Sequence, residues 1–169
     1  ELSIVSAYFE ATSGLTTTGA TIFSDLSEEY RSILFYRGLL QWIGGLGIIV
    51  LAIALMPLLG IGGMQLYRGE TQGPINQSKL RPKIAETAMV LVYIYLILTL
   101  LCFSSYFFAG MEYFDAVVHS FTTVAIGGFS NYNESFAFFN NNTIYLLSVI
   151  FMFISGISFS LHYLSFSNF

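Results

Sequence analysis

Leu15-Thr16-Thr17-Thr18-Gly19-Ala20 is answered much later in the chain by Val124-Ala125-Ile126-Gly127-Gly128-Phe129. Each stretch follows a short, mostly apolar segment and precedes an apolar run of membrane length. A loop of small and hydroxyl-bearing residues beside a membrane helix lets the backbone turn several carbonyls toward one another. Carbonyls so arranged replace the water around a monovalent cation. Because the loop occurs twice, it reads as a repeated unit, and the pair as part of a cation path.

The composition fits a lipid setting. Of 169 residues, 55% are hydrophobic and 9% charged, where a water-soluble domain carries about 25% charged residues. Mean hydropathy is +0.71. Six basic and ten acidic residues leave a net charge of −4, which argues against nucleic acid as a partner. Cys102 is the single cysteine and lies inside an apolar run, so it is read as a buried, inert thiol. The chain opens at Glu1 almost directly on the first loop, and is read as a piece of a longer protein.

Residues 2–14 have helical character but are too short to cross the hydrocarbon core, as expected of a re-entrant or interfacial helix. Gly14 is expected to end it, with the carbonyl pole of its dipole turned to the loop, where a cation is favoured. From Gly38 to Tyr67 no residue is charged. That run exceeds the ~20 residues a span needs, so the helix is expected to be long, tilted, or broken near Pro57 or Gly60. Gly44-Gly45-Leu46-Gly47 within it strips away side-chain bulk for close helix packing.

Residues 64–86 form the long polar connection and hold four of the six basic residues, Arg68, Lys79, Arg81 and Lys83. The positive-inside rule places it in the cytoplasm, and Pro74 and Pro82 argue against one continuous helix through it. Thr87–Met111 is a second uncharged span, returning the chain to the outside. Glu112 and Asp115 then begin another short helix leading to the second loop, while Glu10 and Asp115 are read as acids serving the dipoles at the starts of their helices. Asn131–Asn142 is a polar external connection, and the last span starts near Thr143.

The organisation is thus short helix, loop, long span, stated twice, the second copy with a leading span as well. The expected fold is an all-α membrane protein of repeated span–pore helix–span units with re-entrant loops. Residues 1–67 hold the pore helix, loop and inner span of one unit, 68–83 the cytoplasmic connection, and 84–169 a complete unit. Ser155-Gly156-Ile157-Ser158-Phe159-Ser160 places three serines and a glycine at membrane mid-depth, either as a helix-packing face or as a flexible constriction. Two rival readings stay open on pattern alone: a non-conducting packing or anchoring subunit, and an intramembrane hydrolase built on His119 or His162.

Four stretches carry a family resemblance: residues 9–21, FEATSGLTTTGAT; residues 41–47, QWIGGLG; residues 63–68, GMQLYR; and residues 123–130, TVAIGGFS. Together they resemble the TrkH-type potassium uptake proteins of bacteria, within the Trk/Ktr/HKT superfamily. The resemblance implies four consecutive repeats around one pore, of which this chain matches the pore loop and inner span of the second and all of the third. It implies K⁺ bound by backbone carbonyls at Thr16, Thr17, Thr18 and Gly19, and at Ala125, Ile126, Gly127 and Gly128. Gly128 is aligned with Gly19, since glycine readily takes positive φ; matching Phe114 to Phe9 instead would set Val124 opposite Gly19. The resemblance makes Ser155–Ser160 a gating loop. It further implies a bacterial inner-membrane protein, its filter loops open to the outside, surrounded by lipid. A homodimer, a cytosolic nucleotide-binding regulatory subunit, no cofactor beyond the transported ion and no enzymatic activity complete the expectation.

Overall fold

The computed structural model describes residues 3–59 and 80–157, with side-chain surroundings for residues 3–47 and 89–157. Among the described residues all regular structure is helical: α1 (Ile4–Leu15), α2 (Arg31–Leu59), α3 (Leu80–Phe108), α4 (Tyr113–Val124) and α5 (Asn142–Gly156), with a 3₁₀ turn at Ser135–Phe139. The chain folds as an all-α membrane protein.

Length sorts these helices into two classes. At 29 residues each, α2 and α3 run about 43 Å at 1.5 Å per residue, enough to cross a ~30 Å hydrocarbon layer with some tilt. At 12 residues each, α1 and α4 reach only about 18 Å, so their carbonyl ends stop part-way. Met89–Phe108 within α3 is apolar and long enough to cross a membrane. α2 continues unbroken past Pro57 to Leu59, while Pro82 sits in the first turn of α3, where a missing N–H costs nothing.

The short helices begin on recognisable caps. Ser3 Oγ accepts the Ser6 N–H at the start of α1, and Asn141 Oδ1 accepts the Thr143 N–H at the start of α5. Glu112 is the N-cap residue of α4 and Asp115 lies in its first turn, in line with the dipole argument there. Glu10 differs: it lies in the middle of α1, so the dipole does not account for it. Gly14 also departs from expectation, since α1 runs through it to Leu15. The glycine is there for proximity, its α-carbon face lying against Leu40 and the Phe129 ring.

α4 is the centre of the packing, touching α2, α3 and α5. Ala116, Val118, His119, Ser120, Thr122, Thr123 and Val124 are all buried. α1 packs on α2 and buries only Glu10, Ser13 and Gly14, leaving Ile4, Val5 and Tyr8 exposed. α4 also packs on α3, whose Tyr106 hydroxyl is hydrogen-bonded to Thr123 Oγ1 at 2.9 Å, while Tyr113, the counterpart of Ile4, stays exposed.

α5 has 15 residues and its helix includes Ser155 and Gly156; the backbone turns extended at Ile157 (φ −71°, ψ 137°). The first two residues of the expected loop, Ser155 and Gly156, are therefore helical. Ser158, Phe159, Ser160 and His162 lie outside the described residues, as does the polar connection from 60 to 79.

Outside the helices, the connections that follow α1 and α4 are tied together. Asp25 Oδ1 accepts from the Ser27 hydroxyl (2.7 Å), the Ser27 N–H (2.9 Å) and Asn133 Nδ2 (2.9 Å), while Asn133 Oδ1 accepts the Leu26 N–H. The Ser27 hydroxyl, then the Asn133 amide, then the Ser27 N–H hold the Asp25 carboxyl well below the usual range, at about 2. A depressed carboxyl stabilises the fold fully above its unfolded value near ~3.9 and loses that contribution as pH falls through about 2. Amide exchange at Leu26, corrected for its intrinsic rate, is expected to stay equally protected at pH 7 and pH 4. Deprotection already at pH 4 would contradict the tie.

A pair of loops closed from behind by one helix

The loops after α1 and α4 repeat one another atom for atom in their backbone bonding. Thr16, Thr17 and Thr18 donate their N–H groups to Thr12, Gly14 and Ser13 carbonyls. Ala125, Ile126 and Gly127 donate theirs to Phe121, Thr123 and Thr122, each pair 109 positions further on. Positive φ recurs at the same separation: Thr17 (54°) with Ile126 (53°), and Gly19 (76°) with Gly128 (83°). The loops are therefore in the register that matches Gly128 to Gly19, and the alternative opposing Val124 to Gly19 breaks every one of these equivalences.

Alternating φ sign turns successive peptide planes so that N–H groups gather on one edge of the strand and carbonyls on the other. Here the N–H edge is returned to the helix end. Thr17 and Ile126 are β-branched, and such residues at positive φ are rare and strained by ~1–3 kcal/mol. Two copies of one strained conformation mark the loops as built for their backbone.

A β-carbon at Gly19 would overlap the Gly127 carbonyl oxygen, so the loops are in van der Waals contact. Both glycines, with Thr21, Arg37 and Ser130, line one cavity of about 210 Å³. At Gly128 a β-carbon would meet nothing.

α2 supplies what stands behind both loops. Arg37, Gln41 and Gly44-Gly45 recur at helical spacing on one face. A β-carbon at Gly44 would strike the Leu15 carbonyl, and one at Gly45 would lie 3.1 Å from the Ala125 side chain. These glycines thus serve packing, as read from sequence, and what they pack on is the two pore-helix ends. Gln41 is fully buried. Its Nε2 donates to Gly127 O at 2.7 Å and its Oε1 accepts the Phe129 N–H at 3.1 Å. The Gly127 carbonyl, one of eight expected to face the ion, is thus engaged from behind.

Arg37 is 3% exposed. Its Nε donates to Glu10 Oε1 at 2.8 Å, and its other nitrogens donate to Ser130 O and Thr21 Oγ1. The guanidinium lies over the Phe129 ring, 4.2 Å from its centre. Glu10 also accepts from the Thr21 hydroxyl and the Ile22 N–H. The equivalent bond in the second unit joins His119 Nε2 to Ser130 Oγ at 3.1 Å, and the same hydroxyls, Thr21 and Ser130, accept from Phe23 and Tyr132 N–H groups. One tether from pore helix to post-loop strand is built as carboxylate–hydroxyl in one copy and imidazole–hydroxyl in the other.

Sequence reading missed Arg37, Gln41 and the Glu10 pairing. The available signals were a basic residue immediately before a charge-free run and a glutamine inside it.

The family model described as TrkH, cation transport protein, matches residues 1–169. The chain belongs to the TrkH family. It is 53% identical over 167 residues to the Trk system potassium uptake protein TrkH of Vibrio parahaemolyticus, covering 99% of this chain and 34% of that one. It is 54% identical over 162 residues to the protein of the same name from Escherichia coli (96% and 34% covered), and 46% identical over 167 residues to the Trk system potassium uptake protein TrkG of that organism. The crystal structure of the potassium transporter TrkH from Vibrio parahaemolyticus superposes with a TM-score of 0.84 at 48% identity, over 99% of this chain and 32% of that chain. This chain spans about a third of the length of these curated TrkH relatives. The matching family model describes cation transport proteins, which speaks against the hydrolase reading; of its two candidate histidines, His162 lies outside the described residues and His119 has both ring nitrogens engaged, by Asp115 O and Ser130 Oγ.

Proposed function

We propose that this chain forms two of the walls of a potassium-selective pore, part of a K⁺ uptake protein. The duplicated loop carries the reading: the same two positive φ values and the same three N–H bonds, in copies that touch at Gly19 and Gly127. The ion's lost water is compensated by carbonyls of Thr16, Thr17, Thr18 and Gly19 on one side and Ala125, Ile126, Gly127 and Gly128 on the other. The Gly127 oxygen spends one lone pair on the Gln41 amide and keeps the other. The helix ends behind the loops add their negative poles. Further loops, on the plan of four repeats, complete the cage, and permeation is passive.

In the same proposal, the chain leaves helix at Ile157 to form the gate under the filter, extending through Ser160. The whole protein works as a homodimer in a bacterial inner membrane with a cytosolic nucleotide-binding regulatory subunit, residues 68–83 cytoplasmic and the loops open to the outside. The family resemblance supports these assignments; the relatives' names carry only potassium uptake.

Uptake of rubidium by the full-length protein, in cells lacking their own potassium uptake, tests the reading. Rubidium entry competed by potassium and resistant to excess sodium is expected. A protein inserted at normal abundance that admits no rubidium would be a packing subunit instead.

A further inference from the structure

We propose that Gln41 is a positioning residue that sets ion discrimination, acting on the filter through the peptide groups around Gly128. The proposal rests on the potassium-filter reading above. The carboxamide meets Gly127 O with its N–H and the Phe129 N–H with its oxygen, the pairing that a neighbouring strand would offer to residue 128. Among the described residues neither loop group has another hydrogen-bond partner, and Gln41 is wholly removed from solvent. A β-carbon at Gly127 would run into that carboxamide, so glycine at 127 is the opening that admits it. On its far side the same Gly127 oxygen rests against Gly19. One side chain of α2 thus sets the gap between two loops from different repeats.

The physical consequence is specific. A cage of carbonyls tells K⁺ from a smaller ion only if the oxygens are held at a defined spacing. Without the donor, Gly127 O is buried and free to seek another cation, and the nearest is the permeating one. Arg37, one turn away, holds Ser130 O and the helix face but donates to neither Gly127 nor Gly128. The discrimination function therefore falls to Gln41 and the structural tie to Arg37.

The test uses the full-length protein with Gln41→Glu, which keeps shape and the acceptor for Phe129 but loses the donor, and Gln41→Met, which keeps volume and loses both. Gly128→Ala, whose new methyl meets nothing, serves as reference. Membrane abundance and thermal midpoint are measured alongside the K⁺/Na⁺ selectivity of uptake. The expected result is a loss of selectivity of about tenfold, which one hydrogen bond's worth of free energy supplies, in whichever Gln41 variant is inserted at wild-type abundance. Wild-type selectivity in both Gln41 variants, with Gly128→Ala altered, overturns the role of Gln41 and leaves the filter reading standing. Wild-type selectivity in all three overturns both. Selectivity lost only in proportion to abundance or thermal midpoint makes Gln41 a folding residue and likewise overturns the proposal.

Discussion

Arg37→Met is expected to destabilise the full-length protein by about 3–5 kcal/mol, the cost of leaving one member of a buried ion pair alone. Glu10 is 6% exposed and would keep only the Thr21 hydroxyl and the Ile22 N–H for its charge. Ser130 O would lose its donor, and the Phe129 and Phe23 rings the cation lying over them. Glu10→Gln combined with Arg37→Met should recover much of the loss, because no unpaired charge then remains, and the double-mutant cycle measures the coupling. Thermal unfolding in detergent is the readout. A single variant as stable as wild type would mean that the pair is open to water.

Gly19→Ala and Gly128→Ala should differ sharply although the two glycines share their φ. At Gly128 the new methyl enters open space and the penalty is that of the left-handed conformation, about 1–2 kcal/mol. At Gly19 the same penalty is joined by collision with the Gly127 carbonyl, a backbone atom that moves only with the second loop. Gly19→Ala is therefore expected to be much the less stable and to lose most K⁺ uptake, whereas Gly128→Ala keeps a folded filter. Equal thermal midpoints would show that the loops do not touch.

The spans and the repeat were legible because lipid enforces them: charge vanishes from Gly38–Tyr67 and from Thr87–Met111, and described parts of both stretches lie in α2 and α3. The glycine register was legible because positive φ is cheap for that residue. Thr17 and Ile126 were not, since nothing in a β-branched side chain announces a positive φ; the surroundings impose it. Gln41 reads as one polar residue in an apolar run, and its partners lie 86 and 88 positions away. Glu10 misled for a local reason: an acid on a short helix is readily assigned to the dipole until a cation 27 residues on is seen beside it.

The contact between Gly19 and the Gly127 oxygen, with the bond from Arg37 to Ser130 O, has a bearing on biosynthesis. A ribosome that has delivered α1 and α2 has made every atom of the first loop and the α2 face behind it, but not the Gly127 carbonyl against which Gly19 rests. Its final shape waits for residues 127–130 to be threaded into the bilayer, so the first half matures only when the second arrives. A nascent chain stalled ahead of residue 127 is expected to leave a thiol placed at position 19 open to aqueous labelling, and release of the stall to protect it.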